Sequence, residues 1–597
     1  MVILNDQQLK VINAHGPIFV QAGPGTGKTL TIAERVVKEE QKPGARPYLI
    51  LTFTRAGVDS FARKVNTRLL ETSTFPQAEY SLISTIDSFI NRFFVAPALC
   101  EAYPDRTYDF IPSYEVDKDG WLEIPGSKNK VSLEVFEVDG AYIGASEKYR
   151  KASGIDSIRA KVSESYRKFF NSRIVSSKLS REIFARMVDE RDGRITPDWF
   201  DSKSFSSAHV EQRFADLAQR FSTVYVDEGQ DCSEADLLLI EGLERHGSEI
   251  SYIGDSNQEI YQFRGAVGFR NRTRNRNQLS LTSSYRSTDP ICKFLETIYV
   301  TGLHPAERQT SDEPVSVTTF SNSSEYEKQL RGLNATGAWT VLSHSKSGLA
   351  KALSRPEPYG QQSDPLFGVV EAIGSYAGGS FDAKRVLLRT NDFLCSCANR
   401  AELFKTAELR LQGAVGQKVS EDLARHVAAA LLSRRQEVMA ASAMRESVSP
   451  IFEEVVFNLL HLPPVIPTIP EYSPWGKPSY PRQQWEWGIS RNQLFDNANS
   501  GTIHSAKGLE FANVSVVVDS WHPGEDDHVL DALFCNPLDP TVREILNVFY
   551  VGCSRAQKRL NVSFHLGSDY VVAEKRRTQI AKKWGHCEFV SLSACEP

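Results

Sequence analysis

The chain has 597 residues, which at roughly 150 per domain is room for about four domains and excludes a single small binding module. Hydrophobic residues make up 41% and charged residues 24%, an ordinary globular composition that excludes disorder and collagen-like repetition. The formal net charge of −5 excludes a uniformly basic nucleic-acid coat, so any polyanion site has to be local.

The opening MVILNDQQLK has no basic segment followed by an apolar one, and no run of about eighteen apolar residues occurs. Secretion and membrane spanning are therefore not expected, and the chain reads as cytoplasmic. The nine cysteines are scattered; the closest pair, Cys395 and Cys397, has one intervening residue instead of the usual two, so all are read as reduced thiols.

Residues 17–29, PIFVQAGPGTGKT, run from a short apolar strand through a glycine-rich turn into a helix. That is the context of a phosphate loop. Gly23, Gly25 and Gly27, with Pro24 and Thr26 between them, let backbone N–H groups close around phosphates. Lys28 reaches the β/γ-phosphates and the Thr29 hydroxyl reaches Mg²⁺. Ala22 stands where the general pattern has its first glycine. Further on, YEVDKDGWLEI and VSLEVFEVDGAYIG alternate around Asp-Gly turns and predict hairpins. EKYRKASGIDSIRAKVSESYRKFFNSR predicts a basic helix, equally suited to a nucleic-acid backbone or to solvent.

The apolar run Val224-Tyr225-Val226 ends in Asp227 and Glu228, the strand-plus-acids partner that a phosphate loop needs. Asp227 would bind the metal through water and Glu228 would be the general base. A second strand-plus-acid, SYIGDSNQ, carries Asp255 and Gln258. The run Arg270, Arg272, Arg274, Arg276 is read as a solvated loop. AWTVLSHSKSGLAKAL reads as a strand and helix of a core domain, but KRVLLRTN (384–391) also resembles a core strand, and both remain open. HLPPVIPTIPEYSPWGKPSYPRQQWEW, with seven prolines, predicts an extended segment.

Taken together these segments resemble the UvrD/Rep/PcrA-like superfamily 1 helicases, ATP-driven motors on single-stranded DNA. LNDQQ resembles the family's Q motif, AGPGTGKT its Walker A, LTFTRAG motif Ia and STIDSF motif Ib. DEGQD resembles motif II, GDSNQEIYQFRGA motif III, LTSSYRS motif IV, GTIHSAKGLEF motif V and FYVGCSRAQKRL motif VI. The order is the family's order.

The resemblance implies an α/β fold of two RecA-like domains, parallel sheets with helices on both faces, and two inserted subdomains. Residues 1–95 and 215–280 would form the first RecA-like domain, and 281–355 and 496–597 the second. The insertions would be 96–214, hairpins then helices, and 356–495, mostly helical with the proline-rich segment. ATP and Mg²⁺ are the implied cofactors. Gln8 is implied to read the adenine edge, Tyr285 to stack on the base and Glu510 to hold the ribose. Gln258 would sense the γ-phosphate, and Arg286 and Arg555 would act as arginine fingers. Phe53 and Phe263 are the implied base platforms, and Thr52, Thr54, Thr85, Arg264 and His504 the implied backbone contacts. Phe263 stands where the family usually has Trp, and Leu30 where it often has Arg.

The implied activity is 3′-to-5′ translocation on single-stranded DNA, with unwinding at duplex junctions. The rival readings are an ATP-gated subunit without processive unwinding and a motor on RNA. The compact outline resembles helicases of Gabija-type anti-phage systems, which implies a separately encoded nuclease, since the segment after motif VI is too short for one.

Overall fold

The computed structural model describes residues 4–72, 81–113, 120–123, 130–138, 155–188, 207–261, 266–267, 273, 275–306, 313–321, 323–335, 339–344, 365–374, 380–410, 417–440, 449–466, 498–518, 540–566 and 570–591. These residues form two units, 1–352 with 500–597 and, separately, 353–499.

The first unit contains two six-stranded sheets. In the first, β1 (Ile18–Ala22), β2 (Tyr48–Thr52), β3 (Leu82–Thr85), β4 (Thr223–Asp227), β5 (Glu249–Gly254) and β6 (Asn277–Leu281) lie in the order β6-β1-β5-β4-β2-β3. All its ladders are parallel. The second has β7 (Ser316–Phe320), β8 (Trp339–Ser343), β9 (Ala498–Thr502), β10 (Phe511–Val518), β11 (Ala556–His565) and β12 (Glu588–Ser591), in the order β9-β8-β10-β11-β7-β12. Its described ladders are parallel too. This is the α/β pair of parallel sheets that the resemblance implies.

Strand periodicity sorts the first sheet's core into two faces. Leu49, Leu51, Val224, Val226, Ile250 and Tyr252 point to one side, whereas Ile50, Tyr225 and Ile253 join Ile18, Val20, Ile32 and Val36 on the other. The helices α1 (Asp6–Asn13), α2 (Lys28–Glu40) and α3 (Arg55–Glu71) contribute to the second of these clusters. Arg35 on α2 ties it together: its guanidinium donates to the carbonyls of Val11 and Ala14 (2.7 Å each) and Gly16 (3.2 Å), and to the Tyr225 hydroxyl (3.2 Å).

The opposite face is covered by the segment expected to be an inserted subdomain. Among the described residues it has no separate core: Phe136, Tyr166, Phe184 and Phe214 belong to the same cluster as the strand residues. The helix Ile86–Ile90 also runs through residue 95, by a π-helical turn at Asn91–Val95, into Ala96–Ala102. Pro97 explains the wide turn, because a proline lacks an N–H and its ring collides with the carbonyl four residues back in a regular helix.

Among the described residues one antiparallel hairpin pairs Trp121–Glu123 with Lys130–Ser132; residues 114–119 of the first alternating stretch lie outside them. The chain leaves extended form at Leu133–Val135, a 3₁₀ turn, because Leu133 and Phe136 are both fully buried and the buried Tyr166 hydroxyl takes both their carbonyls (3.2 and 3.1 Å). Residues 139–154, including the second Asp-Gly turn, lie outside the described residues. The basic helix spans Ile155–Asn171, with Arg159, Lys161, Arg167 and Lys168 exposed on its outer face.

Of the arginine run, Arg276 is described, and it is packed instead of solvated. It donates to the Ile250 carbonyl (2.8 Å), pairs with Glu244 and stacks over Tyr252. The other three lie outside the described residues.

The second unit is helical among its described residues. Pro365–Gly374, Ser380–Ser396, Arg400–Arg410, Gln417–Ser433 and Ser449–Leu460 enclose Val369, Phe393, Leu423, Val427 and Phe452. KRVLLRTN therefore lies inside a helix, and the choice left open falls to Trp339–Ser343 as the core strand. Most of the proline-rich segment, residues 467–497, lies outside the described residues.

Replacing Arg35 by Met strips three carbonyls and a hydroxyl of their buried donor. A loss of about 3 kcal/mol is expected, read as a lowered thermal melting temperature; an unchanged melting temperature would contradict this role.

Candidate nucleotide site and nucleic-acid track

Parallel strands place their carboxyl ends on one edge, and ligand sites of open α/β sheets form there. In the first sheet that edge carries Ala22, Thr52, Thr85, Asp227, Gly254 and Leu281, the last residues of all six strands.

The loop after β1 enters α2 through Gly27 (φ +81), which no side chain caps. The leading N–H groups of α2 thus keep their capacity for an anion. Gly25, at φ +72, is packed so closely that a Cβ there would lie 2.3 Å from the Arg286 Cβ. Backbone bonds fix that approach: Tyr285 N donates to the Gly25 carbonyl (2.8 Å), and Ser284 Oγ to the Pro24 carbonyl (3.1 Å). Thr26 Oγ1 closes the loop on the Gly23 carbonyl (2.8 Å). Ala22 costs nothing in place of glycine, because it is still a strand residue, paired with Leu281.

Asn5 and Gln8 form a reciprocal cap on α1. The Gln8 amide also donates to the Thr26 carbonyl (3.3 Å), so this buried residue holds the phosphate loop. The Tyr285 hydroxyl accepts from Asn5 Nδ2 (2.9 Å) and donates to Gln8 Oε1 (3.3 Å), while its ring is 39% exposed. Tyr285, expected to stack on the base, and Gln8, expected to read its edge, are therefore in contact.

Lys28 Nζ lies 3.6 Å from Glu228 Oε1. Glu228 adopts a left-handed backbone (φ +52), which is strained for a residue with a Cβ, and Gln230 Nε2 donates to its Oε2 (2.6 Å). Burial pushes the Asp227 carboxyl up, and the neighbouring Glu228 charge adds to the rise. Burial acts on Glu228 in the same direction, but Lys28, Lys507 and Gln230 outweigh it and hold that carboxyl low. Asp227 Oδ1 is buried with no hydrogen-bond partner. An unpaired carboxylate oxygen beside the phosphate loop, with Thr29 half-buried at the start of α2, fits a hydrated Mg²⁺.

Gln258 links the two sheets. Its Nε2 donates to Asp255 Oδ2 (2.8 Å), and its Oε1 accepts from Arg555 Nη2 (3.2 Å). Asp255 also accepts from Gln21 Nε2 and Asn257 N (3.0 Å each). Arg555 lies just before β11, and burial, with Arg286 nearby, lowers its guanidinium to about 9. Arg286 donates to Glu510 Oε1 (2.5 Å) and to the Ser554 carbonyl (3.1 Å), leaving its buried Nε without a partner. Glu510, the expected ribose ligand, is engaged by Arg286 and Gln557.

Among the expected track residues, Thr54 caps α3 by accepting from Gly57 N (3.0 Å), and Thr85 caps the next helix by accepting from Ser88 N (3.1 Å). Thr52 is buried, and Phe53 packs partly against the core of the first sheet. His504, on α4 (Ile503–Ala506), stands beside Tyr261 and His344. Phe263 and Arg264 lie outside the described residues. Residues not singled out from sequence are Asn5, which caps α1, Gln7, which exchanges two 2.8 Å bonds with Thr282, and Lys507. Lys507 sits inside GTIHSAKGLEF, so position within that motif was the available signal.

A family model described as an AAA domain matches residues 6–264, and one for the UvrD-like helicase C-terminal domain matches residues 490–567. The chain is similar to the UvrD/PcrA-like helicases. Similar curated proteins agree with the two matches. A probable DNA helicase of Mycoplasma pneumoniae is 26% identical over 275 residues, 44% of this chain and 48% of that protein. The ATP-dependent DNA helicase PcrA of Staphylococcus aureus is 24% identical over 300 residues, 48% of this chain and 38% of that protein. A probable DNA helicase II homolog of Mycoplasma genitalium is 24% identical over 283 residues, 44% of this chain and 37% of that protein. The aligned chain thus spans less than half the length of each of these UvrD/PcrA-like relatives. The two family matches take in the phosphate loop, motif II and Gln258 on one side and Lys507, Glu510 and Arg555 on the other. Among the described residues, no helix is long and apolar enough to cross a membrane.

Gly25→Ala places a side chain against Arg286 in a left-handed backbone. Binding of a fluorescent ATP analogue should weaken by about tenfold or more, and unchanged binding would show that the phosphate loop lies elsewhere.

Proposed function

We propose that the chain is an ATP-dependent translocase on single-stranded DNA and a 3′-to-5′ DNA helicase, hydrolysing ATP between its two parallel-sheet halves. The observation that carries this reading is one cluster in which the Lys28–Glu228 ion pair, joined through Gln230 to Asp255 and Gln258 of the first sheet, meets Arg555 of the second. A nucleotide held by one half alone has no need for such a bridge.

In this reading the phosphate loop, Gly23 to Thr29, binds the triphosphate and Lys28 neutralises its β/γ end. Gln8 and Tyr285 receive the base, and Glu510 exchanges Arg286 for the ribose. Thr29 and Asp227 would hold Mg²⁺, which supplies charge neutralisation to the phosphates. Glu228 takes a proton from the attacking water. Arg286, whose Nε lacks a partner, and Arg555, whose guanidinium is buried, stabilise the charge on the transferring phosphoryl group. Gln258 touches both Asp255 and Arg555, so occupancy of the γ-phosphate position changes the bond between the halves. Alternating grips on the strand, through Phe53, Phe263, Thr52, Thr54, Thr85, Arg264 and His504, then convert closure into steps. The polarity and a separately encoded nuclease as partner rest on family resemblance.

Steady-state ATP hydrolysis should rise about tenfold or more, roughly 1.4 kcal/mol of coupling, on adding single-stranded DNA. A rate indifferent to nucleic acid would overturn the motor reading, and equal stimulation by RNA would replace its track. Unwinding should require a 3′ tail on the loading strand; unwinding from 5′ tails alone would reverse the polarity.

Glu228→Gln should retain ATP binding while losing hydrolysis by about 100-fold or more, as for a general base. Loss of binding instead would assign Glu228 to the phosphates. Affinity for single strands should fall with salt, with a log–log slope of about −0.7 per phosphate contact; a flat titration would contradict an electrostatic track.

A further inference from the structure

Lys507 follows α4 directly, and none of the roles above uses it. Its Nζ forms an ion pair with Asp231, donates to the Gln258 carbonyl at 2.8 Å and stands 4.7 Å over the Tyr261 ring. The two charged side chains are 9% and 1% exposed.

Each end of this pair leads to a different part of the machine. On one side, Asp231 N donates to the Glu228 carbonyl at 2.9 Å, so the pair is bonded to the strained residue at φ +52. On the other, Lys507 N donates to the His504 carbonyl, and the His504 ring lies 6.1 Å from the ring of Tyr261. Tyr261 thus sits between a proposed track residue and the clasp, and the chain runs from it towards Phe263 and Arg264. Gly508 follows at φ +85, a backbone state that a residue without a Cβ adopts readily, so the chain turns directly beyond Lys507.

We propose that Lys507 and Asp231 are a positioning pair that transmits occupancy of the single-strand track at His504 and Tyr261 to motif II and its carboxylate Glu228, an inference resting on the proposed DNA-stimulated ATPase. A buried ion pair has two sharply separated states, because pulling one partner away leaves the other charge uncompensated in a poor solvent for ions. Asp231 is held by one oxygen only: its Oδ1 is buried without a partner, so moving Lys507 removes the carboxylate's one side-chain ligand. A strand that shifts Tyr261 or His504 therefore moves Lys507, and with it the backbone bond from Asp231 to Glu228. The pair touches neither nucleotide nor nucleic acid; it acts through Glu228.

The test uses the full chain with ATP and single-stranded oligodeoxythymidine. Wild type is compared with Lys507→Gln, Asp231→Asn and the double variant, which keeps a neutral hydrogen bond in the same space. Each single variant should lose about tenfold of the DNA stimulation, within the range usual for coupled sites. The KM for ATP and the affinity for the oligonucleotide should each stay within about threefold, well inside that coupling, and any fall in the DNA-free rate should be smaller than the fall in the stimulated rate. The double variant should lose no more than either single variant, as for two residues acting as one unit. Lys507→Arg should restore most of the stimulation.

Undiminished stimulation in both single variants would overturn the proposal. So would an equal fall in the DNA-free and DNA-stimulated rates, or losses that multiply in the double variant. If wild type itself hydrolyses ATP without any response to DNA, the motor reading fails first and takes the clasp with it. A wild type that responds, with variants that respond equally, sinks the clasp alone.

Discussion

Charge taken out of water has to be compensated where it lies, and the centre of this protein is organised by that requirement. Asp227, Asp231, Asp255 and Arg555 are each less than a tenth exposed. Asp255 is met by three amide donors, Asp231 by Lys507, and Arg555 by the Val551 carbonyl, the Leu509 carbonyl, Ser554 Oγ and Gln258 Oε1. Besides Asp231 Oδ1, two buried atoms of opposite kind lack a partner here: an acceptor, Asp227 Oδ1, on the first sheet, and a donor, Arg286 Nε, on the segment leading to the second. A metal–triphosphate offers a cation to one and an anion to the other. In the proposed function, nucleotide is thus the missing half of an electrostatic balance that the polypeptide nearly closes alone.

The same balance explains why the segment Ser284–Arg286 matters as much as the phosphate loop it touches. Ser284 and Tyr285 bond the loop, Tyr285 reaches Asn5 and Gln8, and Arg286 crosses to Glu510 and Ser554. Three consecutive residues serve the loop, the base side and the second sheet in turn. The close contact at Gly25 is the steric cost of that arrangement, and only a residue without a Cβ meets it.

Much of this was legible in the amino-acid sequence because phosphate chemistry demands contiguous residues. Lys28 has to follow Gly27 at the start of a helix, and Asp227 and Glu228 have to end a buried strand, so their spacing announces them. Parallel sheets follow from the same motifs, each one a strand running into a functional loop. Where tertiary burial decided the outcome, local pattern misled. Alternation around Leu133 suggested a strand, but Leu133 and Phe136 have to enter one core from one side, which a turn achieves and a strand does not. Lys384–Asn391 resembled a core strand of the family over a short stretch, whereas over the longer helix Val386 and Phe393 fall on one buried stripe. Arg276 looked solvated because its neighbours in sequence are charged; its place over Tyr252 comes from a strand far away in the chain. The Lys507–Asp231 pair joins residues 276 positions apart, and no local spacing encodes such a meeting.

The continuous core beneath the first sheet has a consequence for how the chain can be taken apart. Phe94, Tyr166, Phe184 and Phe214 fill the same space as Leu51, Val224 and Tyr252, and the helix from Ile86 crosses from sheet to insertion without a break. The inserted helices are therefore a wall of the first sheet's half and not a cassette hung from it. Excising them would uncover the apolar face of the first sheet, so a minimal soluble fragment cannot be cut at residues 95 and 215. A lineage that altered this insertion had to do so by repacking its outer surface, residue by residue, while the wall stayed standing.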